Sequence, residues 1–146
     1  MSMTDIFRSL GRSDALVLRQ EAAKLTGTQI IDREHAVPAW RKDADYTSAP
    51  AGTPVADGGQ VWLLIQPHNA AHYAARPAGL RALWGLAHTT NPERAKAWVS
   101  PYGTSGLYQP GECYRDDDGV VQRLKPGYKD MDRPASERPE AWEAVT

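Results

Sequence analysis

The sequence predicts a mainly β protein: two small tandem β modules with a short N-terminal α-helical segment. Three observations lead there. Tryptophans recur at one spacing, since Trp40 and Trp84 stand 44 residues apart and so do Trp98 and Trp142. Each pair encloses the same order of landmarks: a Tyr, a Gly, a Gly-bearing turn, an aliphatic run and a Pro-bearing loop. That is the mark of one unit used twice. All 11 prolines fall between Pro38 and Pro139, too densely for long helices in that stretch.

Residues 1–30 read differently and are assigned as a helical docking or oligomerisation segment. Thr4 is placed to cap a short turn through Ile6, Phe7 and Leu10 that Gly11 ends. Ser13 then caps a helix over residues 14–25, stopped by Gly27. Ala15, Leu18, Ala22 and Leu25 lie on one apolar stripe, which suits either packing on its own domain or a short coiled coil between copies. The second reading predicts a homo-oligomer. Thr28-Gln29-Ile30-Ile31, cut off by Asp32-Arg33-Glu34, reads as a short strand.

The first module is assigned to residues 31–88 and the second to 94–146. Gln60 to Gln66 follows the turn Asp57-Gly58-Gly59, and Val120 to Lys125 follows Asp118-Gly119. Both are expected to pair back on the segment before the turn, residues 53–56 and 112–115 respectively. Residues 78–87 suit one helical turn or an irregular segment, and Thr89-Thr90-Asn91-Pro92 reads as the linker.

Charge and composition narrow the function classes. A net charge of −1 argues against general attraction to nucleic acid. The single Cys113 excludes an intrachain disulfide framework. No apolar window reaches the length of a membrane span, so no membrane insertion is expected, and no signal peptide is read at the N-terminus. His68, His72 and His88 lack the pattern of a metal centre, and Asp116-Asp117-Asp118-Gly119 lacks the alternating ligands of a calcium loop. Cys113 aligns with Val55 of the first copy and reads as a small buried residue, not a nucleophile. No cofactor, no metal and no catalysis are expected.

One resemblance adds to this. The text Val37-Pro38-Ala39-Trp40, Tyr46, Val55, Gly59-Gln60-Val61-Trp62, Gln66-Pro67-His68-Asn69, Pro77 and Leu83-Trp84 resembles the type-3 chitin-binding (family 5/12 carbohydrate-binding) module. Specifically, it is similar to tailed-phage proteins carrying such modules in tandem. The second copy departs by Gln122 where an aromatic normally ends the strand, and by the insertion Pro101-Tyr102-Gly103-Thr104-Ser105-Gly106. Those departures turn the expectation of sugar binding toward the first copy.

The resemblance implies a non-enzymatic virion protein of the tail, baseplate or fibre region, made in the host cytoplasm. Its partners would be polysaccharide or cell-surface glycan and other virion proteins. Pyranose rings present a C–H face that packs on an aromatic side chain, with hydroxyls that hydrogen-bond around it. The expected carbohydrate-binding residues are therefore Trp62, Tyr73, Gln66, His68 and Asn69 in copy one, and Tyr102 and Tyr128 in copy two. Trp40, Trp84, Trp98 and Trp142 are expected mainly in the core. The alternative is a purely architectural capsid or tail decoration protein, its modules serving protein–protein contacts. Exposure of the aromatic side chains separates the two.

Overall fold

The computed structural model describes residues 26–145. The capped turn and amphipathic helix expected before Thr26 lie outside them. Within the described residues the protein is mainly β, with a three-stranded sheet, a four-stranded sheet and one short α-helix. No described helix is long and apolar enough to cross a membrane.

That helix, α1 (Gly27–Asp32), corrects the strand expected at residues 28–31. Thr26 and Gln29 form a capping box: the Gln29 N–H donates to Thr26 Oγ1 at 3.2 Å, and the Thr26 N–H donates to Gln29 Oε1 at 2.9 Å. Ile30 and Ile31 are both buried, whereas neighbours on a strand would face opposite ways. The two β-branched residues suggested strand; the cap and the burial decide for helix.

The chain divides into two compact units between Gly85 and Leu86. In the first, β1 (Pro54–Asp57) and β2 (Gln60–Leu64) form an antiparallel hairpin with Val55 opposite Trp62. Gly58 and Gly59 close it at φ 62° and 79°, the left-handed pair that a two-residue hairpin turn needs. With β3 (Trp84–Leu86) the sheet runs in the order β1-β2-β3. The stretch expected to be helical or irregular is a 3-10 turn at Pro77–Gly79 leading into β3.

In the second unit β4 (Lys96–Ala97), β5 (Cys113–Arg115), β6 (Val121–Leu124) and β7 (Trp142–Val145) lie in that order across the sheet. β4 runs parallel to β5; the other pairings are antiparallel. Thr89, read as linker, belongs to this unit. It is buried, and its carbonyl accepts from the Cys113 N–H at 2.8 Å.

Each unit, taken by itself, is built on the same hydrogen-bond frame. Ala39 bridges Ala56 in parallel, as Ala97 pairs with Arg115. Gly52 donates to the Leu64 carbonyl at 2.8 Å and Leu64 to Thr53 at 2.9 Å; Gly111 donates to Leu124 at 2.9 Å and Leu124 to Glu112 at 3.0 Å. Ile65 donates to Leu83 at 2.7 Å, and Lys125 to Ala141 at 2.9 Å. In both, a tyrosine ring meets the closing tryptophan edge-on: Tyr46 on Trp84 at 5.2 Å, Tyr108 on Trp142 at 5.5 Å.

This register corrects the sequence match by one residue. Tyr114 lies opposite Gln122 as Val55 lies opposite Trp62, so Tyr114 holds the Val55 position and Cys113 that of Pro54. Cys113 is a free, buried thiol whose pKa burial pushes up, so it stays protonated. It packs with Ala95 and Val121. The larger cluster of the second unit is Tyr108, Tyr114, Leu124, Met131, Ala141 and Trp142.

One charge sits uneasily in this frame. Glu112 is half-buried, and burial raises its pKa although its carboxylate accepts the Gln109 N–H at 2.7 Å. A folded value above the unfolded one favours the fold below the unfolded value, and that contribution is lost as pH rises through the folded value. Glu112→Gln keeps the acceptor and removes the charge. It is therefore expected to raise the melting temperature at pH 7, with the gain closing below about pH 4, where both states are protonated. A thermal melt series across pH checks this; a gain that grows toward acid contradicts it.

Candidate functional site

The expected sugar-contacting residues are not all on the surface. Trp62 is 2% exposed, and its Nε1–H donates to the Asp57 carbonyl at 3.2 Å. The Arg81 guanidinium lies 5.3 Å from its ring centroid, and burial lowers the pKa of that guanidinium. Trp62 is thus a core residue under a cation, which leaves no open indole face for a sugar ring. His68 is buried as well, with Nδ1 2.8 Å from the Gln66 carbonyl and its ring among Tyr73, Trp84 and Tyr46. Asn69 caps the 3-10 turn Ala70–His72, accepting from the Ala71 N–H at 3.0 Å.

Gln66 is exposed, and Tyr73 is 38% exposed with its ring edge-to-face against His68 at 5.4 Å. The Tyr73 carbonyl accepts from the Lys42 ammonium. In the second unit Tyr128 is half-buried against the main cluster. Tyr102 is 58% exposed, on a tight loop where the Tyr102 and Ser105 backbones exchange two 2.9 Å hydrogen bonds. Of the seven expected residues, Tyr102 offers the largest free ring.

A concavity of the second unit lies elsewhere. A cavity of about 500 Å³ is lined by Trp98, Tyr114, Arg115, Asp116, Gln122 and Ser136, with Asp117 and Asp118 beside them. The hairpin turn after β5 supplies the carboxylates. Asp116 accepts from the Val120 N–H at 2.9 Å, Gln122 Nε2 at 3.2 Å and the Asp118 N–H at 3.0 Å, and these donors hold its pKa below the usual carboxylate range. Asp116 is therefore ionised at neutral pH. The acidic turn is a hairpin closure, as its sequence suggests, and it also forms one wall.

Trp98 forms another wall. Its indole stacks on Tyr108 at 4.9 Å and 10°, and Tyr108 stacks in turn with His88 at 3.6 Å and 20°. The loop opposite is tied down twice. The Tyr114 hydroxyl accepts from the Ala135 N–H at 2.8 Å, and Trp142 Nε1 donates to the Arg133 carbonyl at 2.9 Å. Arg115 turns its guanidinium to the Gly119 carbonyl at 3.0 Å. Held from both sides, these residues form a preorganised aromatic and acidic groove.

The matching positions of the first unit look different. There Arg76 lies over Trp40, 5.4 Å from the ring centroid, and forks onto Asp57 through bonds of 3.1 and 2.5 Å. The Asp57 side chain is 9% exposed and that of Arg76 69%, so the arginine covers the carboxylate like a lid. Asp57 in turn raises the Arg76 pKa through that hydrogen bond and its charge. By register Trp40 matches Trp98 and Asp57 matches Asp116. Arg76 stands eight residues before Trp84; Pro134 stands eight before Trp142.

Trp98 packs against the core cluster, as the sequence predicts, and its remaining surface lines the groove beside Gln122. The contrast between Arg76 and Pro134 at one offset is the sequence signal that points to the groove. Among the described residues no three His, Cys, Asp or Glu side chains come together as metal ligands. No protein-family model matches this sequence, and no curated protein matches it either.

Proposed function

We propose that this chain is a non-enzymatic component of a tailed-phage particle whose two β units act as protein–protein adaptors. The observation that carries the adaptor reading is the cover on the first unit's indoles. Arg81 lies on Trp62, the one strand tryptophan expected to meet sugar, and Arg76 lies on Trp40, so both indoles are engaged by the chain's own cations. A repeated frame with one covered and one open groove suits a scaffold that presents a contact surface. The phage context rests on the resemblance of residues 37–84 to tandem modules of tailed-phage proteins.

The test is the protein content of purified particles from the source phage. The adaptor reading expects this chain there at a fixed ratio to a tail or capsid protein; its absence from intact particles overturns the reading. Glycan contact is the second reading, favoured by the exposure of Tyr102. It expects retention of the full chain on chitin or cellulose, abolished by Tyr102→Ala with the fold intact.

A further inference from the structure

We infer that the groove of the second unit is a receptor for an arginine side chain presented by a partner protein. This builds on the adaptor reading and names what the partner must offer. The argument is an internal one. The protein has two copies of one backbone frame, and the first copy shows which chemistry satisfies the matching positions: a guanidinium over the indole and on the carboxylate. In the second copy the indole and the carboxylate remain, as Trp98 and Asp116, while the loop supplies Pro134, Ala135 and Ser136.

Three features of the groove fit a guanidinium. Trp98 is fixed by stacking on Tyr108, which makes it a rigid platform, and indole is the best aromatic partner for a cation. Asp116, Asp117 and Asp118 bring three carboxylates against the single guanidinium of Arg115, itself directed to Gly119, so the groove carries net negative charge. Gln122 and Ser136 add hydrogen-bonding atoms for a planar fork of donors. A lysine ammonium shares only the charge; an arginine adds stacking and the bidentate geometry seen on Asp57.

The experiment uses the full chain, followed by NMR of the indole N–H resonances with Trp98 assigned through Trp98→Phe. The probe is a blocked Gly-Arg-Gly peptide, with Gly-Lys-Gly and a soluble N-acetylglucosamine oligomer as comparators. The arginine peptide should shift Trp98 saturably with a Kd on the order of millimolar, as befits one side chain. The lysine peptide should bind about two- to fivefold more weakly.

Pro134→Arg should abolish the response by presenting a guanidinium from the chain's own loop. If that variant does not fold, Arg76→Ala decides instead, since it uncovers Trp40 and Asp57 and should create a second arginine-responsive indole. Trp98 unmoved by the arginine peptide, moved equally by the lysine peptide, or moved only by the sugar oligomer overturns the inference, as does an Arg76→Ala chain with no new response at Trp40. None of these results bears on particle content, so the failure of the groove and the failure of the adaptor reading are told apart.

Discussion

Replacing Trp84 by alanine is expected to lower the stability of the protein by about 3–5 kcal/mol. Trp84 is fully buried, closes the first sheet and receives Tyr46 and His68 edge-on. Its removal opens a large hole in that unit's aromatic cluster, and partial collapse recovers little of the loss. Against a usual total of about 5–15 kcal/mol, such a loss brings the protein near its unfolding threshold. Urea denaturation followed by far-UV circular dichroism measures it. A change under about 1 kcal/mol would mean that Trp84 is not a keystone of the unit.

Phenylalanine at the two closing positions sharpens the test. The Trp84 indole N–H is buried and meets no acceptor among the described residues, whereas that of Trp142 donates to the Arg133 carbonyl at 2.9 Å. Trp142→Phe should therefore cost about 1 kcal/mol more than Trp84→Phe, the worth of one hydrogen bond lost and one carbonyl left without its donor.

The second large effect is expected at Tyr108. Its ring is the middle of the His88, Tyr108 and Trp98 stack and also meets Tyr114 and Trp142. Tyr108→Ala should cost about 3–5 kcal/mol, in the range of other large aromatic truncations. It should also release Trp98, so near-UV ellipticity falls while far-UV ellipticity persists below the melting transition. Tyr108→Phe keeps the ring and should preserve the near-UV signal. If alanine at 108 leaves that signal unchanged, the stack does not hold Trp98.

The β character of this protein was legible because its signals are local. Gly58-Gly59 and Asp118-Gly119 mark hairpin turns, and the short runs after them, bounded by turn residues, suit strands. The repeat was legible because tryptophan is scarce and its order among tyrosines and turn glycines survives. The match of Cys113 to Val55 failed by one residue because register is fixed by cross-strand partners, which no linear spacing displays. Helix α1 failed because Ile30 and Ile31 speak for strand, while the Thr26 and Gln29 cap that overrides them is a two-residue signal.

The site was less legible than the fold. A tryptophan in a strand pattern has the same letters whether its face is bare or lies under Arg81, and the difference rests with residues about twenty positions away. The groove of the second unit is assembled from β4, the hairpin turn and the loop before β7, three segments that only folding brings together.

The placement of β3 and β7 also governs the order in which the molecule assembles. The Gly58-Gly59 hairpin joins neighbours in the chain and closes within microseconds, whereas β3 and β7 must return to β2 and β6 across loops of about twenty residues, at a greater entropic cost. Each closing tryptophan thus docks across a long loop and not within a hairpin. During synthesis neither unit can be completed until its final strand has left the ribosome, so a chain cut short before Trp142 carries its second unit with the aromatic cluster unsealed, a natural target for degradation.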